Sequence, residues 1–123
     1  MRTLIVDDSK IVRGLIRKSL EKGGHLDIEE AADGLEALKQ VRLTTTPFDL
    51  FVVDVYMPNM DGLELVGALR SQGVATPIIM LTTETDIQQK MRAKDLGATG
   101  WIAKPFDEKK FLSVVEILFQ DRT

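Results

Sequence analysis

The chain has 123 residues, 44% of them apolar and 28% charged, with a formal net charge of −3. That length supports one domain around one core, and the slight negative charge excludes a broad nucleic-acid footprint. Cysteine is absent, which removes disulfides, thiolate metal sites and thiol catalysis and fits a cytoplasmic protein. No apolar run approaches the ~20 residues of a membrane span.

Apolar runs alternate with amphipathic stretches along the whole chain. Thr3–Val6 is a short strand signal closed by Asp7 and Asp8, too short for a signal peptide. Ser9 is placed to cap a helix through Glu21, with Ile11, Leu15, Ile16 and Leu20 toward the core and Gly23-Gly24 ending it. Ile28–Ala32 is mixed in polarity and suits an edge strand. Asp33 caps a second helix carrying Leu35, Leu38 and Val41. Leu50–Val53 is a continuous apolar run, as a strand buried on both faces requires. Asp61 or Gly62 begins a third helix with Leu63, Leu65, Val66 and Leu69. Pro77–Leu81 reads as a fourth strand, and Thr85 or Asp86 opens a fourth helix with only Ile87, Met91 and Leu96 as large apolar residues. Such a helix holds weakly to a sheet and is a candidate for movement. Thr99–Ala103, with Trp101 inside it, is the fifth strand, and a last helix runs from about Asp107 to Phe119 with Phe111, Val114, Val115, Leu118 and Phe119. Five βα units in succession predict a doubly wound parallel α/β sheet with right-handed crossovers, in one domain over residues 1–123.

Ligands of open parallel sheets bind beyond the carboxyl ends of the strands. There the sequence puts Asp7 and Asp8 after the first strand, Asp54 after the third, Thr82 and Thr83 after the fourth, and Lys104 and Pro105 after the fifth. Three carboxylates at ~5 Å repel by roughly 3 kcal/mol per pair at an effective dielectric of ~20. A lysine offsets part of this and a hard divalent cation more. Mg²⁺ takes such oxygen ligands, whereas His25, the single histidine, cannot make a zinc site. A carboxylate can be a nucleophile toward phosphorus. Asp54, on the most apolar strand, suits that role. Asp7 and Asp8 would carry the metal, Thr82 would donate to a phosphoryl oxygen, and Lys104 would neutralise another.

The segments Leu4-Ile5-Val6-Asp7-Asp8-Ser9, Val52-Val53-Asp54-Val55-Tyr56-Met57-Pro58-Asn59-Met60-Asp61-Gly62, Ile78-Ile79-Met80-Leu81-Thr82-Thr83 and Leu96-Gly97-Ala98 with Ala103-Lys104-Pro105-Phe106 occur in that order. With them the chain resembles, from Leu4 to Phe119, the receiver domain of bacterial response regulators, in particular the stand-alone chemotaxis type. The resemblance implies a flavodoxin-like strand order of 2-1-3-4-5. It implies phosphorylation of Asp54 by a sensor histidine kinase, with Mg²⁺ held by Asp8, Asp54 and the backbone carbonyl of Tyr56 and assisted by Asp7. It also implies a cis Lys104–Pro105 bond, a Thr82–Trp101 switch, and an effector protein bound on the face of the fourth helix, fifth strand and fifth helix. Such a protein is a monomer and a phosphoacceptor rather than an enzyme, catalysing its own phosphorylation and slow autodephosphorylation. Trp101 stands where tyrosine or phenylalanine is usual and Thr83 where a smaller residue is frequent. Tyr56 and Glu84 flank the path of an attacking water.

A phosphatase of the haloacid dehalogenase kind needs a second acid two residues after its nucleophile, where this chain has Tyr56. A flavodoxin-like electron carrier needs a hydroxyl- and glycine-rich phosphate loop, where this chain has Asp7 and Asp8. Only four residues follow Phe119. The expectation is therefore a regulator acting alone, with a phosphorelay intermediate or a receiver excised from a longer regulator as the alternatives.

Overall fold

Leu50-Phe51-Val52-Val53, apolar on both sides of the pleat, forms most of the middle strand of a five-stranded parallel sheet in a computed structural model. The structure describes residues 2–83, 87–104 and 106–120. The cap expected at Thr85 or Asp86, Glu84, the side chain of Thr83 and the Lys104–Pro105 bond lie outside them. The strands are β1 (Arg2–Val6), β2 (Asp27–Ala31), β3 (Leu50–Asp54), β4 (Ile78–Thr83) and β5 (Gly100–Lys104). Between and after them run α1 (Lys10–Lys22), α2 (Gly34–Leu43), α3 (Gly62–Ser71), α4 (Ile87–Leu96) and α5 (Glu108–Gln120). The sheet order is β2-β1-β3-β4-β5 and every pairing is parallel, the doubly wound fold expected from the sequence.

Alternation along the central strands divides the core into two layers. Leu4, Val6, Phe51, Val53 and Met80 meet α2 and α3 on one face, together with Ala93 of α4. Ile5, Val52, Ile79, Leu81 and Ile102 meet α1 and α5 on the other. The mixed-polarity β2 lies at an edge, where Glu29 and Glu30, on opposite faces, are half-buried and paired with arginines.

The helix starts follow their caps. Ser9 accepts from the Val12 amide and Asp33 from the Glu36 amide. Asp61 and Glu64 form a reciprocal capping box.

Two apolar assignments are corrected. Ile11 and Leu15 are 79% and 50% exposed, because the sheet-facing stripe of α1 is Val12, Ile16, Ser19 and Leu20. Each residue advances a helix by 100°, so positions 11 and 15 fall to the side of that stripe. Ser19 can occupy it because its hydroxyl donates to Glu108 Oε2 at 2.9 Å, tying α1 to α5. Leu35 is likewise exposed, since α2 buries Gly34, Ala37 and Leu38. On α4 the buried residue is Ala93, while Ile87 and Met91 face solvent. Full burial of each such side chain would contribute about 1.5–3 kcal/mol. The expected weak attachment of α4 is therefore visible in its packing.

Gly62 places α3 against the end of β3. A Cβ at that position would stand 2.1 Å from the Asp54 carbonyl oxygen, and the Gly62 amide donates to the Val55 carbonyl at 2.9 Å. Replacing Gly62 by alanine is expected to cost about 3 kcal/mol in urea unfolding, because backbone must move. Gly67→Ala, whose Cβ would meet only Leu96 at 3.6 Å, is expected to be neutral or to stabilise by up to ~1 kcal/mol.

Candidate functional site

Parallel strands of similar length end together, so residues following them converge. Val6 pairs with Val53 and Asp54 with Leu81. Thr82 pairs with Ala103 and Thr83 with Lys104. Asp7 and Asp8 therefore begin where β1 stops, Asp7 level with Asp54 in register, with Thr82 and Lys104 on the next two strands. One carboxylate oxygen each from Asp7, Asp8 and Asp54 lies within 4.8 Å of the others.

The three acids differ in surroundings. Asp54 and Asp7 are buried and Asp8 is exposed. Lys104 Nζ lies 2.9 Å from Asp54 Oδ1 and 3.9 Å from Asp7 Oδ2. Asp7 Oδ1 accepts the Ser9 amide at 2.8 Å, which starts α1. Asp7 Oδ2 is buried and has no hydrogen-bond partner. The Tyr56 main-chain amide also donates to Asp54, while the Tyr56 ring projects outward.

Burial pushes the Asp54 carboxyl above its ordinary range; Lys104 opposes this and Asp8 adds to it. Burial likewise raises Asp7, against the Ser9 amide and with the Asp54 charge. Carboxylates at this separation repel by about 3 kcal/mol per pair at an effective dielectric of ~20. Among the described residues a single ammonium, that of Lys104, nearest to Asp54, leaves part of that repulsion uncompensated. The donor set is all oxygen and one of its buried oxygens is unpartnered. That chemistry fits a hard divalent cation.

Of the residues singled out in the sequence, Asp7, Asp8, Asp54 and Lys104 form one cluster. Thr82, on the neighbouring strand, is buried with no hydrogen-bond partner for its hydroxyl. Trp101 is not part of the cluster. It sits two residues before Ala103, the register partner of Thr82, is 41% exposed, and carries Lys90 Nζ 5.8 Å from its ring centroid.

Three supporting residues were not identified from the sequence. Asn59 adopts φ 66° and donates to Asp33 Oδ2, closing the loop after β3 onto the cap of α2. The Asn-Met-Asp-Gly turn composition was the available signal. Arg13 and Glu30 bond across from α1 to β2. They read as ordinary surface charges, since nothing in either segment announces a partner in the other.

The raised carboxyls set a sign for stability. A native pKa above the unfolded value means the ionised native form is penalised. That penalty is fully present above the raised pKa and relieved as pH falls through it. Metal-free Asp54→Asn is therefore expected to exceed wild type by about 1–2 kcal/mol at neutral pH. In urea unfolding with chelator, the gap should narrow on acidification. A variant markedly less stable than wild type would instead assign Asp54 a structural role.

Comparison with known proteins agrees with this layout. Residues 3–116 match the family model described as the response regulator receiver domain. The response regulator MprA of Mycobacterium leprae is 38% identical over 120 residues, which are 98% of this chain and 51% of that protein. MprA of Mycobacterium avium is equally similar, so the chain spans about half the length of these curated relatives. Chemotaxis protein CheY4 of Vibrio cholerae superposes with a TM-score of 0.85 at 41% identity, covering 95% of this chain and 97% of that one. The receiver domain of Francisella response regulator 1452 gives 0.89 at 31% identity, over 99% and 98% of the two chains. The fold, the matched family model and these relatives together identify the chain as a member of the response regulator receiver domain family, the phosphoacceptor switches of two-component signalling.

Proposed function

We propose that Asp54 is the phosphoacceptor and that the chain is one receiver domain over residues 1–123, working in the cytoplasm as a monomer. The observation that carries this reading is Lys104 Nζ at 2.9 Å from Asp54 Oδ1 inside the cluster with Asp7 and Asp8. An Asp54 carboxylate oxygen forms the new bond to phosphorus. The phosphorus–nitrogen bond of a sensor kinase's phosphohistidine breaks, and the imidazole nitrogen keeps the electron pair. Lys104 neutralises charge on the phosphoryl oxygens, and the unpartnered Thr82 hydroxyl donates to one of them. Asp7, Asp8, Asp54 and the main-chain carbonyl of Tyr56 are the groups that would hold Mg²⁺. Bound Mg²⁺ supplies charge neutralisation in phosphoryl transfer. The chain promotes its own phosphorylation and hydrolyses the product slowly, with no separate substrate to turn over.

The output surface is the face of α4, β5 and α5. A groove of about 810 Å³ there is lined by Trp101, Lys90, Lys104, Asp107, Lys109 and Lys110. Lys104 belongs both to this groove and to the ion pair with Asp54. A phosphoryl group that recruits Lys104 and Thr82 thereby alters the floor on which Trp101 sits, and Ala93 is the one described residue that α4 buries. The effector docks on this face in the phosphorylated state.

Similarity to a chemotaxis protein over nearly its whole length supports a receiver of the chemotaxis type. The two-fold longer MprA relatives support the second reading, a receiver that forms part of a longer regulator.

With Mg²⁺ and a small phosphodonor, wild type is expected to take up one hydroxylamine-sensitive phosphoryl group. Asp54→Asn is expected to take up none, and Lys104→Ala to label about 100-fold more slowly. Wild-type labelling of Asp54→Asn would refute the assignment.

A further inference from the structure

Arg13 lies just inside α1, where its amide donates to the carbonyl of the cap residue Ser9 at 3.0 Å. Its guanidinium, only 15% exposed, has two partners. Nη1 donates to the main-chain carbonyl of Asp7, and Nε donates to Glu30 Oε1 at 2.9 Å. The other Glu30 oxygen accepts Arg17 Nε at 2.8 Å, and Arg17 in turn donates to the Ile28 carbonyl at 3.2 Å. The Asp7 amide donates to the Ala31 carbonyl at 3.1 Å. Asp7 is therefore gripped at its amide by β2 and at its carbonyl by a side chain that is itself fastened to β2.

We propose that Arg13, held by Glu30, is a positioning residue for the cation site, fixing the Asp7–Asp8 peptide so that both carboxylates face Asp54. The proposal rests on the Mg²⁺ reading above. A guanidinium suits the task because its donors lie at fixed angles in one plane, and two of them here serve two acceptors on different elements. An ammonium is a point charge on a flexible stem and cannot hold that geometry. Groups that orient metal ligands typically control affinity by ten- to a hundred-fold.

Charge and positioning make opposite predictions at Arg13. As a cation near a cation site it repels the metal, so its removal on electrostatic grounds tightens Mg²⁺ binding. As a positioning residue its removal weakens binding.

Isothermal titration of metal-free protein with Mg²⁺ separates them, with melting temperatures recorded for wild type, Arg13→Ala and Arg13→Lys. Wild type is expected to bind, Arg13→Ala to bind about ten-fold more weakly, and Arg13→Lys to remain several-fold weaker than wild type although its charge is kept. If Arg13→Ala does not fold, Arg13→Lys decides. Unchanged or tighter binding in the folded variants overturns the proposal, including the case where only the melting temperature falls. Absence of Mg²⁺ binding to wild type would overturn the cation reading itself and this inference with it.

Discussion

The ion pair between Lys104 and Asp54, 2.9 Å across the carboxyl edge of the sheet, governs the rest of the site. Two of the three acids in that corner are buried, and burial without compensation is costly for a carboxylate. One ammonium serves them unequally, lying 2.9 Å from Asp54 and 3.9 Å from Asp7. The resting site is thus short of positive charge. A divalent cation would answer that deficit directly. On the proposed reading, a phosphoryl group on Asp54 would bring more negative charge, along with oxygens for the buried Thr82 hydroxyl and for Lys104.

The fold makes this arrangement inexpensive to hold. Strands β1, β3, β4 and β5 need no special geometry to deliver their terminal residues to one place, because parallel register does so. The specific devices are local. The Ser9 amide fixes Asp7 as it opens α1. Gly62 lets α3 start in contact with the Asp54 carbonyl. Asn59 takes a left-handed backbone conformation to close the loop between β3 and α3. Rigidity is concentrated around Asp54, whereas α4, with Ile87 and Met91 in solvent, packs lightly. The switch proposed above would need both: a fixed acceptor and an element whose displacement costs little.

Much of this was legible in the sequence because strand ends and helix caps are local signals. The apolar runs located all five strands. The order β2-β1-β3-β4-β5 came from the family resemblance rather than from the runs, since periodicity does not say which strands are neighbours. Helix faces were read less well. Ile11, Leu15 and Leu35 are apolar yet exposed, because a helix with more apolar residues than its contact arc can cover must leave some outside. Ser19 occupied a core position that hydrophobicity alone would not give it, through its bond to Glu108 across 89 residues of chain. The same limitation hid Arg13 and Glu30, whose pairing depends on α1 lying over β2.

The central claim is that the acids beyond β1 and β3 share one cation beside the acceptor. Crystals soaked in Mn²⁺, whose anomalous scattering reports position independently of any model, test it most directly. The account predicts a single strong peak among the carboxylates of Asp7, Asp8 and Asp54. A peak elsewhere on the molecule, or none at a concentration that saturates binding in solution, would contradict it.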